Sequence, residues 1–125
     1  MSTAVLLIAH GSPRQAANQE LFDLAARLEE RRLYAHIQPA FLEGARPSIA
    51  EGIDACVAKG ATRVIAIPYF LLAGKHVLQD VPAAVAAGRE RHPQVEIALG
   101  RHLGHHPFLL DIALERLAEA NCERP

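Results

Sequence analysis

The sequence predicts an α/β domain: a four-stranded parallel sheet with helices on both faces. Short β-rich runs alternate four times with longer stretches of helical spacing. Each strand-to-strand step contains a helix, which parallel pairing requires. The first strand run, Thr3 to Ala9, is apolar almost throughout, as expected of a strand covered on both faces. At 125 residues, half of them apolar, the chain suits a single domain spanning 1–125.

The elements follow in order. After the first strand, Ser12 with Pro13 and Gln15 reads as an N-cap, a first helical position and a capping box. Leu21, Leu24, Ala25 and Leu28 then recur at helical spacing. Tyr34 to Phe41 is the second strand, and Pro39 within it favours a sheet edge because proline donates no ladder hydrogen bond. Ser48 and Glu51 form a second capping box, with Ile49, Ile53, Cys56 and Val57 on one helical face and Gly60 as the stop. The third strand runs from Arg63 to Ile67 and ends at Pro68. A loop through Gly74 leads to a helix opened by Asp80 and Pro82 that closes near His92 and Pro93. The fourth strand is Val95 to Leu99, and the last helix spans Pro107 to about Ala120.

Composition excludes several classes. Thirteen Lys and Arg against fourteen Asp and Glu give a net charge of −1, so there is no global basic field and no nucleic-acid partner is expected. No apolar run approaches the ~20 residues that span a bilayer, and the first ten residues lack the features of a signal peptide. Cys56 and Cys122 have no metal-ligand spacing and point to a reduced, cytoplasmic setting. G-x-x-x-x-G-K-[ST], G-x-G-x-x-G and G-x-S-x-G are all absent, which disfavours a nucleotide or a Ser12-based hydrolase.

In open α/β sheets ligands bind beyond the carboxyl ends of the strands. The loops there carry His10-Gly11-Ser12, Glu43-Gly44, Gly74-Lys75-His76 and the run from Gly100 to His106. Imidazoles and a carboxylate remote in sequence can therefore meet. Two neutral imidazoles and one carboxylate suit a divalent transition metal and leave positions open for exchange. The same loops bring Arg14, Arg46, Lys75 and Arg101, a basic rim suited to a polyanionic ligand.

Four stretches together resemble the CbiX-type sirohydrochlorin chelatases: Leu7-Ile-Ala-His10-Gly-Ser12, Phe41-Leu-Glu43, Pro68-Tyr-Phe-Leu-Leu-Ala-Gly74-Lys-His76-Val-Leu-Gln-Asp80-Val-Pro82, and Leu103-Gly-His-His-Pro107. The run PYFLLAGKHVLQDVP is the most specific of them. The resemblance implies a class II chelatase-like half and a cobaltochelatase-like lyase. Such an enzyme inserts a divalent metal, Co2+ first with Ni2+ or Fe2+ as alternatives, into sirohydrochlorin. The setting would be cobalamin- or siroheme-type tetrapyrrole biosynthesis, with no nucleotide and in a homodimer of short chains. It maps the metal-binding histidines onto His10 and His76 and the acidic ligand onto Glu43. Pro13-Arg14 follows HGS where an arginine often comes directly, which bears on where the Arg14 side chain lies.

Metal insertion also removes two pyrrole protons, and neutral histidine can act as ligand or as proton acceptor. His10 and His76 therefore share metal holding and catalysis, while Arg14, Arg46, Lys75 and Arg101 are the residues expected to bind the tetrapyrrole. Plainer roles are expected elsewhere. His106 and Pro107 mark a helix entry, although His102, His105 and His106 could gather metal at the mouth. His36 is a strand residue, and His92 faces solvent at a helix end. Ser12 and Asp80 are N-caps, Gly11 and Gly74 permit tight turns or close approach, and Cys56 belongs to the core. The competing reading is a non-catalytic metal or tetrapyrrole carrier of the same fold.

Overall fold

The computed structural model describes residues 2–122. Strands β1 (Thr3–Ala9), β2 (His36–Phe41), β3 (Arg63–Pro68) and β4 (Glu96–Leu99) form one all-parallel sheet in the order β2-β1-β3-β4. Helices α1 (Gln15–Glu30), α2 (Ile49–Ala58), α3 (Val81–Arg91) and α4 (Pro107–Cys122) follow the strands in turn. β2 is an edge strand, where Pro39 sits opposite Leu7 without breaking a central ladder.

The alternation of β1 divides the core. Ala4, Leu6 and Ile8 pack with Ala40, Val64, Ala66 and Ile97 beneath Ile49, Ile53 and Cys56 of α2 and Val81 and Val85 of α3. Val5 and Leu7 point the other way, with Ile37 and Phe41, toward Leu21 and Ala25 of α1. Right-handed crossovers explain this division. The chain steps from β1 to β2 in one direction and from β2 to β3 to β4 in the other, so α1 lies on one face and α2 and α3 on the opposite one. The turnabout lies between β1 and β3, and that is where such sheets bind ligands.

The second capping box forms as expected. Ser48 Oγ accepts the Glu51 N–H at 3.1 Å, and Glu51 Oε1 accepts the Ser48 N–H at 2.9 Å. The first does not. α1 starts at Gln15, and Ser12 Oγ instead accepts the Arg14 N–H at 3.0 Å. Asn18 explains the shift: its Oδ1 accepts the Ser12 N–H at 2.9 Å while its Nδ2 donates to the Ser12 carbonyl at 2.7 Å. Ser12 is thus held as a loop residue outside the helix.

Asp80 stands at the N-cap position of α3, but its backbone is already helical and its side chain makes no capping hydrogen bond. The helical course begins earlier, with a π-helical turn at His76–Asp80 that runs directly into α3. Val81 donates to the His76 carbonyl five residues back. Pro82 has no N–H to offer the Leu78 carbonyl, and the widened turn accommodates that gap. His92 also departs from expectation: its Nε2 lies 2.7 Å from Asp54 Oδ1, and its side chain is only 19% exposed. Arg91 shares that carboxylate at 3.0 Å, and the two ties lower the Asp54 pKa, His92 contributing most. His36 stays in β2, beside Gln38 and Glu29. Cys56 is fully buried in the core, and desolvation pushes its thiol up to about 11.

Candidate metal centre

Backbone hydrogen bonds draw the ends of β1 and β2 together beyond the last paired residues. Leu42 donates to the Ala9 carbonyl at 2.9 Å and Glu43 to the His10 carbonyl at 3.0 Å. Gly11 makes the closure feasible. Its φ is +98°, and a Cβ there would drive into the Glu43 carbonyl oxygen. Gly74 has no such duty, since a Cβ there would meet open space. On the other side of β1, Tyr69 donates to the Ile8 carbonyl at 2.7 Å, which anchors the segment leading from β3 to His76. His10 and His76 therefore flank the turnabout between β1 and β3.

Three side chains converge there. His10 Nε2 lies 3.0 Å from Glu43 Oε1, and the His10 and His76 rings meet edge to face with centroids 4.7 Å apart. One ligand atom from each of His10, Glu43 and His76 lies within 4.8 Å of the others, the one such group of three or more among the described residues. Residues separated by 66 positions of sequence thus form one donor set.

Each imidazole is oriented through its other nitrogen. His10 Nδ1 lies 3.0 Å from the Gly11 carbonyl oxygen, and His76 Nδ1 lies 2.7 Å from Asp80 Oδ2. Both acceptors call for a proton on Nδ1, which leaves each Nε2 lone pair to face the cluster. His10 Nε2 and Glu43 Oε1 thus stand side by side as two electron-pair donors. His10 and Glu43 are exposed and His76 is partly buried, so the donors remain open to a ligand approaching from solvent. Asp80 and Asn18 are the residues that sequence reasoning assigned elsewhere or passed over. The four-residue step from His76 to Asp80 was a readable signal, whereas nothing local marks Asn18.

The four rim cations differ in their surroundings. Arg14 and Lys75 directly precede α1 and the π-helical turn. Arg46 is paired with Glu51, and that hydrogen bond, with help from Ser48, lowers the Glu51 carboxyl to about 2. Arg101 lines a cavity of about 570 Å³ with His102, His105 and His106. These three histidines do not form a donor cluster among the described residues. His106 Nδ1 accepts the Phe108 N–H at 3.1 Å, the helix-entry role expected of it.

The sequence and fold have counterparts among known proteins. The CbiX family model matches residues 4–120. A sirohydrochlorin cobaltochelatase of Priestia megaterium is 36% identical over 98% of this chain and 40% of its own. One from Methanococcoides burtonii is 28% identical over 92% of this chain and 94% of its own. The sirohydrochlorin chelatase SirB from Bacillus subtilis subspecies spizizenii, solved in complex with cobalt, superposes with a TM-score of 0.89 at 28% identity, covering 95% of this chain and 51% of SirB. The chain spans about half the length, or less, of several of the curated relatives it matches. The family match covers nearly every element that builds the His10–Glu43–His76 cluster, and on that ground the chain belongs to the CbiX family.

Proposed function

We propose that this chain is a metallochelatase that inserts a divalent ion into sirohydrochlorin, in cobalamin- or siroheme-type biosynthesis and without a nucleotide. The observation that carries the reading is the donor set itself: two imidazoles and one carboxylate at the turnabout of the sheet, open to solvent. Co2+ is the first candidate, because the nearest-length relative named above is a cobaltochelatase and SirB was solved with cobalt. Fe2+ and Ni2+ suit the same donors.

The chemistry follows from the geometry. His10 Nε2, His76 Nε2 and a Glu43 oxygen hold the incoming ion and leave further positions for water, which the macrocycle nitrogens displace. As the ion enters the ring, two pyrrole N–H protons must leave. Once the ion has passed to the ring, the Glu43 carboxylate and the His10 imidazole, 3.0 Å apart, are free to accept them. Asp80 keeps the His76 ring aimed throughout. Arg14, Lys75 and Arg101 meet the carboxylates of the macrocycle, and Arg46 does so with its charge partly offset by Glu51.

One sheet edge presents one rim, and a large macrocycle has two faces. A homodimer places a second rim across the ring, consistent with a solved relative of which this chain covers half. Both described cysteines are unpaired, in keeping with a cytoplasmic setting.

The test is steady-state metallation of sirohydrochlorin with a Co2+, Fe2+ and Ni2+ series. Many turnovers per chain are expected, abolished by His10→Ala and by His76→Ala with native circular dichroism. Metallation that stops at one ion per chain would identify a carrier instead. Undiminished turnover in either variant would overturn the assignment.

A further inference from the structure

The two imidazoles of the site are not held alike. Behind His76 stands a carboxylate, with Asp80 Oδ2 at 2.7 Å from Nδ1. Behind His10 stands a backbone carbonyl, that of Gly11, at 3.0 Å. A carbonyl directs a ring only as firmly as its own peptide plane is held. This plane joins Gly11 to Ser12, and Gly11, at φ +98°, has the freedom to let it turn. The His10 ring therefore needs that plane fixed from elsewhere.

Asn18 supplies the hold. Its Oδ1 accepts the Ser12 N–H at 2.9 Å, and that N–H belongs to the same peptide unit as the Gly11 carbonyl. The unit is planar and trans, so a hydrogen fixed at one end sets the oxygen at the other. Asn18 Nδ2 also donates to the Ser12 carbonyl at 2.7 Å, which fixes the next plane. That plane leads into Pro13, which has no N–H, so the carbonyl is its one polar handle. A continuous chain results: Asn18 carboxamide, Ser12 N–H, Gly11 carbonyl, His10 Nδ1, and then His10 Nε2 beside Glu43 at 3.0 Å.

A carboxamide suits this position because it offers an acceptor and a donor side by side. Asparagine is otherwise a poor choice there. It is the fourth residue of α1, after Ala16 and Ala17, where a further alanine would favour the helix. Asn18 is partly buried, while Ala17 and Gln19 on either side are exposed.

We infer that Asn18 is a positioning residue of the metal centre. It holds the Gly11–Ser12 peptide in the orientation that aims His10 Nε2 at the ion, as Asp80 does directly for His76. The inference rests on the metal-site reading above and adds a residue that touches none of the three donors.

The test is Asn18→Ala on the full chain, read first with Co2+ alone. Competition against a chromophoric chelator gives both the number of Co2+ sites and their affinity. Partners behind a metal ligand typically contribute 10–100-fold, and Asn18 acts through a peptide, so about tenfold weaker binding is expected with the number of sites unchanged. Alanine favours the helix, so circular dichroism should stay native. A loosened fold would instead lower the number of sites and spare their affinity. The second readout is nitrogen NMR of the histidine rings in the metal-free chain, assigned from His10→Ala and His76→Ala. His10 should pass from the Nδ1–H form to a mixture of tautomers in Asn18→Ala, while His76, still tied to Asp80, keeps its form. Gln19→Ala, whose side chain bonds Asp23 on the same helix, should move neither readout. Wild-type Co2+ affinity in Asn18→Ala, or tautomers that change at both rings or at neither, would overturn the inference. These readouts need no sirohydrochlorin. A chain that binds Co2+ in this way and never turns over sinks the chelatase reading and leaves Asn18 in its role.

Discussion

Removing the Asp80 carboxylate tests whether the His76 ring must be aimed. In Asp80→Ala the His76 Nδ1 loses its 2.7 Å partner, and the imidazole can rotate or place its proton on Nε2, the atom needed for the metal. Loss of such an orienting group behind a metal ligand typically costs 10–100-fold in affinity or activity, about 1.4–2.7 kcal/mol. The side chains are 41% and 35% exposed, so solvent competes for the same atoms and the lower end applies. About tenfold weaker Co2+ binding is expected, with sirohydrochlorin turnover reduced by a similar factor. Asp80→Asn retains an acceptor oxygen and should lose only ~2–3-fold, the part owed to charge. Competition against a chromophoric chelator measures the affinity. Circular dichroism should stay native, because the Asp80 side chain makes no capping hydrogen bond. Asp80→Ala with wild-type affinity and turnover would refute the orienting role.

Gly11→Ala combines an unfavourable φ with a collision against the Glu43 carbonyl, so it should destabilise the fold by roughly 2 kcal/mol or more in denaturant titration and weaken metal binding. Gly74→Ala, facing open space, should stay within about 0.5 kcal/mol of wild type. Cys56 sets an alkaline limit. Its thiol is held neutral in the fold up to about 11, whereas the unfolded thiol ionises near ~8.5. Its contribution is therefore complete below ~8.5 and falls as pH rises from there toward 11. Stability measured against pH should show that decline, and Cys56→Ala should flatten it. Native-state alkylation should favour Cys122, which is exposed.

Much of this fold could be read before its coordinates because its signals are local. The Thr3–Ala9 run, the Ser48–Glu51 box and the Gly60 stop each declare themselves within a few residues, and the βα alternation then dictates a parallel sheet. His10, Glu43 and His76 were legible for a topological reason: strand ends in a parallel sheet share one edge, so loop residues remote in sequence meet there. The departures involve competition between partners. Ser12 looks like a cap until Asn18, six residues on, takes both of its backbone groups. Asp80 suits an N-cap by position, but an imidazole four residues earlier is the partner it takes. His92 has the exposure pattern of a helix end, yet Asp54 from another helix holds it. The exposure of α4 could not be read at all: Leu110, Leu114 and Leu117 recur at the spacing of a covered helix face, yet none of the helix's described residues is buried.

The most direct measurement is X-ray absorption at the cobalt edge on the chain loaded with one Co2+. The outer-shell scattering should require two imidazoles, with a carboxylate oxygen among the lighter donors, and one imidazole should vanish in each of His10→Ala and His76→Ala. A cobalt environment unchanged by both substitutions, or one containing no histidine, would contradict the site at its foundation.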